Sequence, residues 1–123
     1  MIRSILLAGA ALCAGLCADL SGAEAHAFLD RADPGVGATI KATPATVTLT
    51  FTEGLEPAFS SITVQGADGQ RFDQGSAHTV DGDPTRFAVD VKPLPPGTYK
   101  VLWRATSVDT HKTNGDYSFT VAP

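Results

Sequence analysis

Sulfur is nearly absent from this chain. Across 123 residues there are one Met and two Cys, too few for a disulfide scaffold or a thiolate metal cluster. Its basic residues form no run and its net charge is −4, which argues against nucleic acid as a partner. No Gly-x-Ser-x-Gly elbow and no phosphate-cradling glycine loop are present, so hydrolase and nucleotide chemistry find no local support. No stretch sustains a helical period. Disorder is excluded too, because 43% of the residues are apolar, a share that can build a core.

The sulfur that exists lies in one place. Cys13 and Cys17 sit in an apolar run from Ile5 to Ala18 that follows Arg3. Ala23-Glu24-Ala25 then places small residues at −3 and −1 of a cut before His26, the ending of a secretory signal peptide. The run is shorter than the ~20 apolar residues of a membrane span. Leu precedes each Cys, which is too large for a lipoprotein cleavage site. Residues 1–25 are therefore expected to be removed, leaving an exported domain at 26–123. That domain has 98 residues, with 8 basic and 11 acidic side chains and no sulfur. A chain of this size buries about two-thirds of its unfolded surface and folds without disulfides.

From His26 onward the pattern is that of an all-β domain. Val47, Leu49 and Phe51 alternate with threonines; Ile62 and Val64 alternate with Ser61, Thr63 and Gln65. The same two-residue period runs through Phe87–Val91, Tyr99–Trp103 and Tyr117–Val121, as half-buried strands require. Turn residues fall at Asp33-Pro34-Gly35, Thr43-Pro44, Ala67-Asp68-Gly69, Asp81-Gly82-Asp83-Pro84, Pro95-Pro96-Gly97 and Asn114-Gly115. With Phe28-Leu29 and a short piece near Arg71-Phe72, about seven strands are expected, in a Greek-key β-sandwich or small barrel.

The groups able to carry chemistry are few. A terminal His26 offers an α-amine and an imidazole from one residue, at a spacing that closes a chelate ring. The amine's free pKa is near ~8, so a metal must displace its proton and binding weakens in acid. Asp109-Thr110-His111 places two donors two residues apart, on one side of an extended backbone. Nitrogen and oxygen donors without sulfur suit Cu(II) better than Cu(I). Glu53 follows the Thr46–Thr52 strand, where a carboxylate beside a metal-bound imidazole or amine can orient it; it is equally an ordinary loop acid beside Glu56. His78 lies in a polar stretch, read as a loop with an exposed histidine.

These residues resemble a known family. His26-Ala27-Phe28-Leu29, Ala32-Asp33-Pro34-Gly35 and Leu49-Thr50-Phe51-Thr52-Glu53 are similar to segments of CopC-type periplasmic copper-resistance proteins. The most specific likeness is the block from Leu94 through Asp109-Thr110-His111 to Gly115 and Phe119-Thr120-Val121. The resemblance implies a cupredoxin-like or immunoglobulin-like β-sandwich binding one Cu(II) in the bacterial periplasm. It implies as ligands the amine and imidazole of His26, the Asp109 carboxylate and the His111 imidazole, with Glu53 near the site. Some relatives carry a Met-rich segment that holds Cu(I). The matching region here, about Gln65 to Val80, has no Met, which points to Cu(II) alone and leaves His78 without a role.

The expectation is thus a monomeric periplasmic Cu(II) carrier or buffer that is not an enzyme, handing copper to an inner-membrane transporter of the CopD type. Two other readings stay open. Copper held by an N-terminal His and a second His also serves oxidative polysaccharide-cleaving enzymes, although 98 residues leave little surface for a polymer groove. The domain could instead be a sandwich that binds another protein, with its histidines incidental.

Overall fold

Each period-two run becomes a strand whose apolar side turns toward a second layer. The computed structural model describes residues 27–123; the expected leader and His26 lie outside the described residues. Eight strands follow in order: β1 (Leu29–Asp33), β2 (Thr39–Ile40), β3 (Thr46–Phe51), β4 (Ser61–Gln65), β5 (Asp73–Val80), β6 (Asp83–Val91), β7 (Gly97–Thr106) and β8 (Lys112–Val121). A 3-10 turn, Pro57–Phe59, precedes β4. One sheet has the order β1-β3-β6-β5 and the other β2-β8-β7-β4. The architecture is a two-layer β-sandwich, one strand richer than the sequence pattern suggested.

β3 shows how the pattern makes the fold. Val47, Leu49 and Phe51 are buried while its threonines are half-buried, and β6 answers with Phe87, Val89 and Val91. From the other layer come Ile62 and Val64 of β4, Tyr99 and Val101 of β7, and Tyr117, Phe119 and Val121 of β8. Tyr99 stacks on Phe119 with centroids 5.8 Å apart, and Phe72 meets Tyr99 edge-on at 5.3 Å. Burying each large side chain contributes about 1.5–3 kcal/mol. Most of the core therefore comes from residues that alternation identifies, with Leu55 and Leu94 added from loops.

Four local readings are corrected. Asn114-Gly115 is no turn: both lie inside β8, paired with Arg104 and Trp103 of β7. Asp83-Pro84 opens β6 rather than preceding it, and the turn is confined to Asp81-Gly82. The stretch holding His78 is strand β5, bound to β6 at the edge of its sheet. The short piece near Arg71 is an isolated bridge to Gln65 leading into β5. β5 escapes the alternation rule because an edge strand with both sides partly in solvent needs little apolar content.

Candidate metal centre

The long β7–β8 ladder ends where the site begins. β7 delivers Thr106 to its last pair, with Lys112, and the five residues between them form a tight turn. The Ser107 N–H donates to the His111 carbonyl at 2.9 Å, and the Thr110 N–H donates to the Ser107 carbonyl at 2.8 Å. Thr110 takes φ 73°, a left-handed conformation uncommon for a β-branched residue. Asp109 and His111 thus face each other across a turn, not along one face of an extended strand as the sequence reading had it.

Their side chains meet directly. His111 Nδ1 lies 3.3 Å from Asp109 Oδ2. The buried Ser107 hydroxyl donates to Asp109 Oδ1, so one carboxylate oxygen is anchored and the other faces the imidazole. The Ser107 hydrogen bond, reinforced by the His111 N–H and ring, holds the Asp109 carboxyl below its ordinary range against a smaller opposing effect of desolvation. Asp109 and His111 are about half exposed, at 46% and 48%, open enough for an ion to reach. A carboxylate kept ionised beside an imidazole is a hard-to-borderline donor pair.

Two further segments arrive at the same end of the sandwich. Ala27 is 1% exposed, and its carbonyl accepts a hydrogen bond from the Thr113 hydroxyl at 2.7 Å, two residues beyond His111. On the other side, the Phe28 N–H donates to Thr52 Oγ1 and the Thr52 N–H donates to the Phe28 carbonyl, both at 2.9 Å. Thr52 immediately precedes half-buried Glu53. The Val108 N–H then donates to the Gly54 carbonyl at 3.1 Å, and Ser107 bridges Leu55. The loop carrying Glu53, the start of the described chain and the Asp109–His111 turn are therefore joined by backbone and hydroxyl contacts.

Among the described residues no group of three or more His, Cys, Asp or Glu side chains could hold a metal. Asp109 and His111 form a pair, and Glu53 does not extend it into such a group. His26 lies outside the described residues. His78 is exposed on β5, paired with Ala88 of β6 in the sheet that does not carry Asp109 and His111, and joins no metal group among the described residues. Sequence reasoning missed the hydroxyls of Ser107, Thr52 and Thr113, which set this geometry. For Ser107 a signal existed, since Ser two residues before Asp readily makes local turn contacts.

A small two-sheet sandwich whose first described residue, Ala27, is pinned beside an Asp-x-His turn defines a β-scaffold with a carboxylate–imidazole pair at one end. The CopC domain model matches residues 29–122, and the chain belongs to the CopC family. Protein YobA of Escherichia coli K12 is 38% identical over 98 residues, covering 79% of each chain. The crystal structure of CopC from Methylosinus trichosporium OB3b superposes with a TM-score of 0.75 at 36% identity, covering 80% of this chain and 95% of that one. PcoC of Escherichia coli, described as a methionine-rich copper resistance protein, gives 0.68 at 32% identity over 78% and 98% of the two chains. The present chain departs from that description, since Met1 is its single methionine.

Proposed function

We propose that this protein is a periplasmic carrier of Cu(II), not an enzyme, exported by a leader cut after Ala25 and binding one ion per chain. The ligands in this reading are the amine and imidazole of His26, the Asp109 carboxylate and the His111 imidazole, with Glu53 alongside. The observation that carries it is the Asp109–His111 pair at 3.3 Å, two residues from the Thr113 hydroxyl that holds the Ala27 carbonyl. The pair supplies an oxygen and a nitrogen donor but needs more donors to close a site. A terminal His attached to Ala27 would bring two nitrogens. The named copper resistance protein among the structural relatives supports copper as the cargo, and the sulfur-free domain favours Cu(II) over Cu(I). The protein acts as a monomer in this reading and passes its ion to an inner-membrane transporter of the CopD type.

The test is a titration of purified 26–123, its N-terminus verified by mass, with Cu(II) and with Cu(I) under reductant. The reading expects one tight Cu(II) equivalent and weak Cu(I) binding. Tight Cu(I) binding with weak Cu(II) binding contradicts it. Because amine and imidazole must shed protons to bind, Cu(II) affinity is expected to fall below about pH 6.

A further inference from the structure

This chain is acidic overall, yet the outer face of its β2-β8-β7-β4 sheet is basic. Residues 26–123 carry 8 basic and 11 acidic side chains. Lys100 and Arg104 of β7 and Lys112 of β8 nonetheless all stand exposed on that one face, turned away from buried Tyr99, Val101 and Tyr117. None of the three forms an ion pair among the described residues. We propose that this face is a docking groove for an extended acidic segment of a partner protein, anchored by an apolar side chain. No residue given a ligand role above takes part, so the groove goes beyond the copper reading and stands or falls independently of it.

Strand register builds the groove. Ser61 of β4, Arg104 of β7 and Asn114 of β8 lie opposite one another, and Thr63, Leu102 and Asp116 form the next row. The recess over these rows measures about 790 Å³, and Phe59 and Lys112 also line it. Phe59 is 71% exposed, and its backbone is held in place. The buried Thr106 hydroxyl donates to its carbonyl at 3.0 Å, and its own N–H donates to the Glu56 carbonyl at 3.0 Å. A ring fixed at the rim near half-buried Leu102 offers an apolar anchor point. Lys112 is diagonal to Arg104 across the β7–β8 ladder, a separation of ~7–8 Å. Alternate residues of an extended chain are ~7 Å apart, so acids at alternate positions of one segment match both cations. Asp116, the acid of this lining, is diagonal to Arg104 on the other side and does not pair with it. A recess admits an extended segment, whereas a lipid surface would meet only its rim. Exposed charges add little affinity singly, but they steer and orient an acidic partner.

The test uses metal-free 26–123, which contains every strand of both sheets. Its probe is a capped Glu-Thr-Glu-Thr-Leu-Thr peptide, titrated to millimolar concentration at low salt, with Lys in place of Glu as control. The Glu peptide is expected to shift the amide NMR signals of Phe59, Ser61, Arg104 and Asn114, leaving the β1-β3-β6-β5 sheet unmoved, and the Lys peptide to shift none of them. Arg104→Gln with Lys112→Gln is expected to weaken binding about 5-fold, the worth of two exposed ion pairs. Phe59→Ala should weaken it as well, and added salt should weaken the wild type. Unfolding midpoints recorded alongside should match the wild type, since all three side chains are exposed. No shifts with the Glu peptide, equal shifts with the Lys peptide, or unchanged affinity in R104Q/K112Q each overturn the proposal. Binding to phosphatidylglycerol vesicles without peptide binding, lost in the same variant, overturns it in favour of a membrane. Self-association of the wild type that the variant abolishes overturns it in favour of a second copy of this chain.

Discussion

The indole of Trp103 occupies the space in which any side chain at Gly115 would have to stand. The two are cross-strand partners on β7 and β8, and a Cβ on Gly115 would fall 2.1 Å from Cη2 of that ring. Phe51 meets the same indole with centroids 6.1 Å apart, which limits how the ring can yield. Gly115→Ala is therefore expected to destabilise by about 1–3 kcal/mol, the usual cost of overpacking. Thermal unfolding should show this as a midpoint lower by several degrees. An unchanged midpoint would show that the ring moves freely.

Ser107→Ala removes the hydroxyl that anchors Asp109 Oδ1. The Asp109 carboxyl, held low first of all by that hydroxyl, should then titrate closer to the ordinary value of ~3.9. Carbon NMR of the side-chain carboxyl across the acid range reads the change. Because the folded value is depressed, any stability it lends is present above the unfolded value and fades as pH falls through the folded one. A titration identical in wild type and S107A would remove Ser107 from the account.

The Tyr117 hydroxyl donates to the Pro34 carbonyl at 2.7 Å. Burial, with a smaller push from Asp33, raises its phenol well above the ordinary tyrosine range. A raised folded value means that stability is complete below the unfolded value of ~10 and declines as pH rises beyond it. Urea unfolding is expected to show wild type losing stability above about pH 10, and Tyr117→Phe losing less with pH. At neutral pH the same variant should cost about 1 kcal/mol for the missing hydrogen bond.

Asp73 guards the outer edge of β4. Its Oδ1 accepts from the Val64 N–H at 3.1 Å and from Arg71 Nε at 2.6 Å, while Oδ2 accepts from Arg71 Nη2 at 2.7 Å. The Arg71 hydrogen bond keeps the Asp73 carboxyl below its ordinary range, despite an opposing desolvation. Asp73→Ala should cost about 1–2 kcal/mol by stripping the Val64 N–H of its acceptor. Arg71→Ala, which removes the exposed partner of the pair and leaves the Val64 N–H its acceptor, should cost less. Denaturation at pH 7 distinguishes the two. At acid pH the gap should narrow, since Asp73's contribution is lost as pH falls through its depressed folded value.

Elements whose residues alternate were legible in advance: β3, β4, β6, β7 and β8 sit where Val47, Ile62, Phe87, Tyr99 and Tyr117 indicated. β5 was not, because Gln74, His78 and Thr79 draw their strand conformation from pairing with β6 rather than from their own apolar pattern. Asn114-Gly115 carried an authentic turn signature, yet that glycine answers to the Trp103 ring, a partner invisible to local reading. The Asp109 and His111 pair was found by spacing, although left-handed Thr110 and not an extended backbone brings them together. Thr52 and Thr113 stayed hidden because such a hydroxyl acquires its role only through what the fold places opposite it.

The central claim is that Cu(II) is held by the amine of His26 together with side chains of the Asp109–His111 turn. Electron paramagnetic resonance of the singly loaded 26–123 protein, its N-terminus confirmed by mass, addresses it most directly. The account predicts an axial Cu(II) signal with nitrogen hyperfine structure that changes when one residue is added before His26 and when His111 is replaced by Ala. A spectrum indifferent to both changes would contradict it.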